Sequence, residues 1–516
     1  MVSVLIIGLV IPGCAGERKP PAVLYVFANG KIVAGVAGQL NCTSGAMQWA
    51  GAVMAQEEIN ANGGINIGGV SYILELAPIE TREETVDPTG LTGVLNLTAE
   101  IDDVDFIVGG LRPEAVEAYR DVAMEKGVIF MNCGAAAEAL QHSVVDDYAG
   151  YRCWFKGMPY NEYFLGQSVV RTLEAVAIRL REEMGVAPDY ALKAAIIADN
   201  LPWAYDQVVV IAELLKGMNV SLVHNPYWVD ATGITEGMQN ALTSIAGLNP
   251  QFIIPVFSED AGVLYDTLRA SYVPNALSVG INVMAQLKAP WSVNLTTAPP
   301  GGPACAYEVV LDTWAEGLEQ TEKTGPFLAA VVNFTSEEYP LNTAATYDAL
   351  LGVKKAIEAV AWYDAEEGVA CAWADDIVQW MEDPANAQVT TTGLTAYYPR
   401  PGTAAAGKPA LTEAQVRSLY DLDSYNQTYT YDARDWTMPV HTTHDLAYGP
   451  GLLTGIGAQW QWDGEAGRWK KVGVWPMDLG DEYDEALTDQ YGCWNFAYNG
   501  TKPLVIPQNI IDHHKP

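Results

Sequence analysis

The stretch Ile59-Asn60-Ala61-Asn62-Gly63-Gly64-Ile65-Asn66-Ile67-Gly68-Gly69-Val70 combines a helix end, a double-glycine turn and a strand start. The preceding helix has a suitable N-cap at Ser44, and its apolar stripe comprises Met47, Ala50 and Met54. Gly63 can adopt the positive φ that ends a helix. The following strand has one apolar face, formed by Tyr72, Leu74 and Leu76. This order of elements predicts an α/β protein.

The same alternation recurs along the chain. Short apolar runs typical of buried strands occupy residues 106–108, 128–131, 194–198, 220–223 and 252–256. Amphipathic helices are predicted between such runs, at 205–216 and 347–362, and Pro113 suits the first turn of another. This alternation predicts parallel sheets covered by helices.

The chain is long and acidic. Its 516 residues exceed what one hydrophobic core usually spans, which predicts two or more domains. With 63 acidic against 28 basic residues, the net charge of -35 repels phosphate backbones and argues against a nucleic-acid partner. Hydrophobic residues make up 49% of the sequence, enough to form packed cores.

The N-terminus has the features of an export segment. As a helix, apolar residues 1–13 would span about 20 Å, too short for a bilayer core of about 30 Å. They end at Cys14 in a sequence similar to the lipobox of exported lipoproteins, which predicts a lipid anchor on Cys14. A signal peptide without lipidation is the alternative. Either way we expect an extracytoplasmic protein, in the periplasm or at the cell surface.

Cysteines and glycosylation sequons agree with export. Apart from Cys14, the cysteines are Cys42, Cys133, Cys153, Cys305, Cys371 and Cys493. The first disulfide to expect joins the pair nearest in sequence, Cys133 and Cys153, with buried free thiols as the alternative. Their spacing does not indicate a metal site. Asn-X-Ser/Thr sequons, which would make the protein a glycoprotein if used, occur at Asn41, Asn96, Asn219, Asn294, Asn333, Asn426 and Asn499.

Residues 22–476 resemble the type I periplasmic binding proteins, specifically the branched-chain amino acid binding family of ABC importers. The matching segments, in order, are 57–60 (Glu-Glu-Ile-Asn), 63–65 (Gly-Gly-Ile), 107–110 (Ile-Val-Gly-Gly), 345–349 (Ala-Thr-Tyr-Asp-Ala), 449–451 (Gly-Pro-Gly), 459–464 (Gln-Trp-Gln-Trp-Asp-Gly) and 474–476 (Val-Trp-Pro). The resemblance implies two doubly wound parallel-sheet lobes joined by a three-stranded hinge. It also implies a solute held between the lobes, at the carboxyl ends of strands.

The resemblance divides the chain into four parts. Residues 1–21 are the signal segment and tether, 22–158 plus 280–362 form lobe 1, and 159–279 plus 363–445 form lobe 2. Residues 446–516 contain the family's C-terminal end and an extra tail. Residues 389–407, rich in Thr, Ala, Gly and Pro, are expected to form a surface insertion.

In lobe 1 the resemblance places two loops at the solute. The first has Arg112 where relatives have a serine that holds the ligand carboxylate, and an arginine beside a helix N-terminus can also hold an anion. The alternative is a surface arginine paired with Glu114 or Glu117. The second loop, 133–137, corresponds to a Gly-Ala-Thr turn in relatives, with Ala136 or Ala137 in place of the threonine. Ala135 and Ala136 are the candidate contacts. Losing both hydroxyls weakens the case for an α-amino acid ligand.

In lobe 2 the resemblance points to aromatic and acidic residues. Tyr160, Trp203 and Tyr205 could close over an apolar group, or could simply be packed in the lobe. Glu259 aligns best with the acid that pairs with a ligand's amino group, with Asp260 as the neighbouring possibility. The alternative is that both acids lie in the first turn of a helix capped by Ser258. Asn282 is a further candidate.

Motifs for catalysis are missing from the sequence: it has no Gly-x-Ser-x-Gly, P-loop or His-Glu-x-x-His pattern, so we expect neither an enzyme nor a cofactor. The pair His441 and His444 is typical of a structural loop more often than of a metal site. The expected function is capture of an amino acid or amide-like solute for an ABC permease. The alternatives are a ligand-sensing ectodomain of the same fold, and a surface structural glycoprotein that has lost its ligand.

Overall fold

The computed structural model describes residues 5–6, 23–84, 89–158, 160–216, 218–287, 295–299, 302–335, 339–401, 412, 415, 428–431, 436–439, 443–449, 452–477 and 497–516. For 5–6, 259–260, 428–431 and 436–439 only the backbone is described. The expected lipid anchor, Cys14, lies outside the described residues.

The strands are β1 (Leu5–Ile6), β2 (Val23–Phe27), β3 (Lys31–Gly38), β4 (Ile65–Ile67), β5 (Val70–Glu80), β6 (Phe106–Gly109), β7 (Ile129–Asn132), β8 (Trp154–Lys156), β9 (Leu192–Asp199), β10 (Val220–Leu222), β11 (Tyr227–Val229), β12 (Phe252–Phe257), β13 (Leu277–Asn282), β14 (Val309–Asp312), β15 (Trp362–Asp364), β16 (Val369–Trp373), β17 (Gln388–Val389), β18 (Leu394–Thr395), β19 (Thr428–Tyr431), β20 (Trp436–Pro439), β21 (Ile456–Asp463) and β22 (Arg468–Trp475).

The α-helices are α1 (Thr43–Ala61), α2 (Leu91–Glu100), α3 (Pro113–Lys126), α4 (Glu138–Asp146), α5 (Tyr148–Tyr151), α6 (Glu162–Met184), α7 (Pro202–Leu215), α8 (Ile234–Leu248), α9 (Glu259–Tyr272), α10 (Thr324–Phe334), α11 (Thr346–Val360), α12 (Ala374–Glu382) and α13 (Gln508–His514). Short 3₁₀ helices occur at Ile101–Asp103, Met284–Gln286, Asn342–Ala345 and Pro384–Asn386.

The chain divides into two compact units. Unit 1 consists of Met1–Asn161, Asn342–Tyr429 and Thr437–Leu453, and unit 2 of Glu162–Leu341, Thr430–Trp436 and Thr454–Pro516. This division differs from the expected lobes: 280–341 belongs to unit 2, and 363–429 and Tyr160 belong to unit 1. Strand pairing explains the difference. β14 extends the sheet of unit 2 alongside β13, and β16 pairs with β2 of unit 1.

Unit 1 is built on a six-stranded sheet in the order β4-β5-β3-β6-β7-β8. β3 pairs in parallel with β5 and β6, and the parallel arrangement continues through β7 and β8. β4 is antiparallel to β5, and the hairpin turns at Gly68-Gly69, the second glycine pair of the quoted stretch. A second, antiparallel sheet has the order β1-β2-β16-β15.

Unit 2 is built on a sheet in the order β10-β9-β12-β13-β14-β21-β22, with β11 also paired to β9. The strands from β10 to β14 are parallel, and β21 and β22 add an antiparallel hairpin. Alternate residues of β9 enter separate cores: Ile196 packs with Ile211 of α7, and Ile197 packs with Leu242 of α8. Helices therefore cover both faces of this sheet, which confirms the predicted doubly wound α/β class.

The predicted Cys133–Cys153 disulfide is wrong. Both thiols are free and buried, and burial raises the pKa of each to about 12. The register pairs Phe130 with Trp154 and Asn132 with Lys156, so the two cysteines lie at opposite ends of the β7–β8 ladder. At about 3.3 Å per residue, the separation along this ladder is too large for a disulfide.

Two further expectations are corrected. The helix predicted at 347–362 ends at Val360, because Trp362 pairs with Cys371 in a strand. The described part of the expected surface insertion is packed, since Tyr398 is fully buried in a small core with Ala447 and Leu452. Among the described residues, no helix combines the length and apolar character needed to cross a bilayer.

Candidate functional site

Each unit has a point at which the strand order reverses, and open α/β sheets bind ligands at such points. In unit 1 the order reverses between β3 and β6, whose carboxyl ends lead into α1 and α3. In unit 2 it reverses between β9 and β12, which lead into α7 and α9. We call these the switch points of the two units. Arg112, Trp203, Tyr205 and Glu259 all follow a switch-point strand.

A buried carboxylate binds the turn before α3. Glu83 is fully buried, and its Oε2 accepts hydrogen bonds from the N–H groups of Leu111 (3.2 Å) and Arg112 (2.9 Å). Its Oε1 accepts from the hydroxyls of Thr81 (2.8 Å) and Tyr119 (3.2 Å). Burial raises the pKa of Glu83 above its ordinary value. This side chain takes the backbone donors that could otherwise hold an external anion.

The guanidinium of Arg112 is also engaged inside unit 1. Its Nη2 donates to the backbone carbonyl of Glu84 over 3.1 Å, and its Nη1 lies 3.9 Å from the Glu114 carboxylate. The side chain is 24% exposed, so one edge of it still reaches solvent. The alternative of a pairing with Glu114 is thus present, as one of two contacts.

The same acidic turn reaches the start of α1. Oε1 of Glu84 accepts from the N–H of Gly45 over 3.1 Å, and the Glu84 N–H donates to Oε1 of Gln39. Gln48 of α1 donates to the carbonyl of Gly110, which ties the helix to the turn before α3. Consecutive glutamates therefore bind the N-termini of both switch-point helices of unit 1.

Ala135 and Ala136 lie in the loop after β7, next to the Arg112 turn. A Cβ atom added at Gly134 would lie 2.1 Å from the carbonyl oxygen of Gly110, so the two loops are in tight contact. Asn132 satisfies this loop internally, accepting from the N–H of Ala135 and donating to its carbonyl. Both alanines are buried, at 0% and 9% exposure, which leaves little of either side chain for a ligand.

Tyr160 follows β8 and is buried at 2% exposure. Its ring lies 6.5 Å from that of Tyr448, and the adjacent Asn161 donates to the buried Asp445 over 2.8 Å. Burial raises the pKa of Asp445, and the charge of Lys156 opposes that rise. The structure therefore places Tyr160 in the packing of unit 1.

His444 is a structural residue. Its ring is fully buried, stacks on Phe155, and lies within hydrogen-bond distance of Glu382 (2.7 Å) and of the carbonyl of Trp154 (2.9 Å). His441 lies outside the described residues, among which no cluster of potential metal ligands occurs.

At the switch point of unit 2, a third carboxylate caps a helix. Oδ2 of Asp199 accepts from both the N–H and the hydroxyl of Ser258, each over 2.8 Å, directly before α9. Glu259 is the first residue of α9, at the carboxyl end of β12, and its side chain lies outside the described part of the chain.

An aromatic pair lies beside this cap. Tyr205 and Trp228 contact edge to face with ring centroids 4.9 Å apart, and Trp228 is 39% exposed. The Tyr205 hydroxyl donates to Asn200, which in turn donates to Asp230. Trp203 packs on the core of unit 2, and its indole N–H has no partner among the described residues. The edge thus presents aromatic faces next to a carboxylate.

Comparison with solved structures finds the same architecture in substrate-binding proteins. The chain matches a Silicibacter pomeroyi protein assigned to a branched-chain amino acid ABC transporter, at 19% identity and a TM-score of 0.58, over 86% of this chain and 96% of that one. It matches a branched-chain amino acid substrate-binding protein from Streptococcus pneumoniae, solved with isoleucine, at 15% identity and a TM-score of 0.52, over 86% and 99%.

A third match is a solute-binding protein from Rhodopseudomonas palustris solved with 3,4-dihydroxybenzoic acid, at 12% identity and a TM-score of 0.54, over 86% of this chain and 97% of that one. The chain has the type I periplasmic binding protein fold. At these identities the matches establish the fold alone. No protein-family model matches the sequence, and no curated protein matches it significantly.

Within this periplasmic binding protein fold, Asn282 is not at a solvent-facing position. It is fully buried at the end of β13 and donates to Asp266 (3.1 Å) and Glu308 (3.2 Å). Burial, reinforced by Glu308, raises the pKa of Asp266 well above its ordinary value. Asn282 therefore belongs to a polar network inside unit 2.

Among the described residues, two of the cavities lie away from the helix N-termini of the switch points. One, in unit 1, has a volume of about 30 Å³ and is lined in part by Asp348, Thr390 and Thr392; such a volume has room for about one or two waters. The other cavity lies in unit 2 and has a volume of about 420 Å³. It is lined by the last turns of α6 and by Met477 and Ala497, which flank residues that the structure does not describe. Neither carries the candidate site.

Sequence reasoning missed Glu83, Glu84, Trp228 and Asp230. The two glutamates lie three and four residues after β5, at the edge where a parallel sheet places ligand-facing groups, but the sequence does not show that they reach the N-termini of α1 and α3. Trp228 and Asp230 carry no such signal, because the short strand β11 is fixed only by its pairing with β9.

Proposed function

We propose that this protein is an extracytoplasmic solute-binding protein that delivers a small polar solute, an amino acid or an amide-like compound, to an ABC permease. The observation that carries the proposal is the coincidence of the type I fold with polar and aromatic side chains at both switch points. The solute contacts would come from the loops that contain Arg112, Ala135, Ala136, Trp203, Tyr205 and Glu259. Binding and release, with no catalytic step, would be the whole activity.

The charge and the N-terminal sequence support the cellular setting. A net charge of -35 disfavours nucleic acid as a partner. Attachment to the membrane would come from a lipid on Cys14, with the permease as the protein partner. Mass spectrometry of the mature N-terminus tests the lipid, because an acylated Cys14 has the mass of its added chains.

Ligand binding is tested by a thermal-shift screen of the purified protein against amino acids, amides, urea, polyamines and small carboxylates, with calorimetry on each hit. A solute present at a hundredfold its dissociation constant should add about 2.7 kcal/mol to the free energy of unfolding. For an amine-bearing hit, Glu259→Ala should abolish the shift. The matched control is Glu236→Ala, an exposed acid in the first turn of α8.

The screen also separates the importer from its alternatives. A hit that binds the protein but not its Glu259→Ala variant supports solute capture through α9. If no class of compound in the screen binds, the result would contradict the proposal and favour the surface structural glycoprotein. A protein that has lost its ligand could also retain helix N-termini whose N–H groups are bound by its own carboxylates.

A further inference from the structure

We infer that the switch points carry built-in anions, so that this protein excludes carboxylate solutes and takes a cationic, amine-bearing solute without a carboxylate. This inference rests on the proposed solute binding and narrows the small polar solute to one that is not a free amino acid. It comes from three carboxylates, Glu83, Glu84 and Asp199, each of which occupies backbone donors next to a helix N-terminus.

The N-terminus of α3 has few donors left for an external anion. Glu83 holds the N–H groups of Leu111 and Arg112, and the helix begins with Pro113, which has no N–H. The N–H groups of Ala115 and Val116 both bond to the carbonyl of Arg112. Every hydrogen bond that the structure gives Glu83 is one that it accepts, which fits a charged carboxylate bound as an anion would be.

The next residue, Glu84, occupies a backbone donor at the N-terminus of α1 in the same way. Glu84 accepts from Gly45 in the first turn of α1, and its own carbonyl holds the guanidinium of Arg112. The guanidinium of Arg112 is therefore already engaged by the carbonyl of Glu84 and lies 3.9 Å from the Glu114 carboxylate. A carboxylate solute would meet occupied donors and the negative charge of two glutamates.

Unit 2 repeats the arrangement and adds groups that attract cations. Asp199 accepts from Ser258 directly before α9. Asn200 links the Tyr205 hydroxyl to the carboxylate of Asp230, and the Tyr205 ring contacts the partly exposed Trp228. Aromatic faces next to a carboxylate bind ammonium groups well. The chemistry at both switch points thus favours positive charge and disfavours negative charge.

The first test uses acetate as a probe of the Glu83 position, on the full chain. Glu83→Ala removes a CH₂ and a carboxylate, a group that acetate can replace. We expect Glu83→Ala to lower the Tm and sodium acetate to recover part of the loss, relative to sodium chloride at equal ionic strength. Wild type and Glu117→Ala, which alters an exposed acid on α3, should not respond to acetate.

If acetate does not raise the Tm of Glu83→Ala, the inference that Glu83 is a built-in anion is overturned. If Glu83→Ala does not fold, wild type decides with two sets of probes: putrescine, agmatine and choline against leucine and benzoate. Stabilisation by the amines alone supports the inference. Stabilisation by leucine or benzoate, or by a neutral solute alone, overturns the solute class while leaving solute binding intact. If nothing binds, the proposed function and the solute class both fall, and the acetate result still decides whether Glu83 is a built-in anion.

Discussion

Asp105 shows how a single buried acid can make the stability of unit 1 depend on pH. Its carboxylate accepts from the N–H of Val33 over 2.7 Å, extending the β3–β6 ladder by one side-chain bond. The side chain is only 5% exposed, and burial raises the pKa of Asp105 to about 7. The folded protein therefore binds a proton on Asp105 in a pH range where the unfolded chain does not.

Asp105→Asn should remove this dependence. Because the folded pKa lies above the unfolded one, the stabilisation from protonated Asp105 is full below about pH 4 and is lost as the pH rises through 7. The free energy of unfolding of wild type minus that of Asp105→Asn should fall by about 2–4 kcal/mol between pH 4 and 8. Urea denaturation at both pH values measures it. In the control variant Asp103→Asn, at an exposed position, the free energy of unfolding should depend on pH as it does in wild type. If Asp105→Asn also shows the wild-type pH dependence, the assignment of this dependence to Asp105 is refuted.

At the level of elements, the β21–β22 hairpin is fixed to the sheet of unit 2 by a buried ion pair. Lys471 of β22 bonds to Asp312 of β14 and to the carbonyl of Gln286, and both charged side chains are fully buried. Burial lowers the pKa of Lys471 and raises that of Asp312, so each partner depends on the other to stay charged.

Replacing one partner of this ion pair should lower the free energy of unfolding far more than replacing both partners. Lys471→Met leaves a buried, unpaired carboxylate and should lower the free energy of unfolding by about 3–5 kcal/mol. The double variant Lys471→Met/Asp312→Asn should recover a large part of that loss. Lys470→Met, which removes the partly exposed bridges to Glu316 and Asp463, should cost about 1 kcal/mol or less. Equal losses for Lys470 and Lys471, measured by denaturation, would contradict the structural account.

The elements also show what could be predicted from sequence. The quoted glycine turn, Pro113 at the start of α3 and the apolar strand runs are local signals, and the structure has each where it was predicted. α11 ends where the short β15–β16 hairpin begins, and the assignment of 363–429 depends on β16 pairing with β2, which is distant in sequence. For the same reason Arg112 could be placed beside a helix N-terminus, while Glu83, 29 residues away, could not be seen to fill it.

For the whole molecule, the dominant physical fact is its charge. With a net charge of -35, the acidic side chains repel one another in the folded state. Salt weakens this repulsion, because the Debye length shortens from about 30 Å at 0.01 M to about 10 Å at 0.1 M. The same field would draw cations towards the molecule and slow the approach of anions, which agrees with the internal carboxylates at both switch points.

Salt should therefore stabilise this protein. We expect the Tm to rise between about 0.01 M and 0.5 M sodium chloride, because screening removes more repulsion among 63 acids than attraction to 28 bases. Tetramethylammonium chloride at equal ionic strength separates screening from specific sodium binding, since screening alone gives the same rise with either cation. A fall in Tm with both salts would mean that surface ion pairs outweigh the net repulsion. In that case the acidic field could not be what selects the charge of the solute, and selection would rest on Glu83, Glu84 and Asp199 alone.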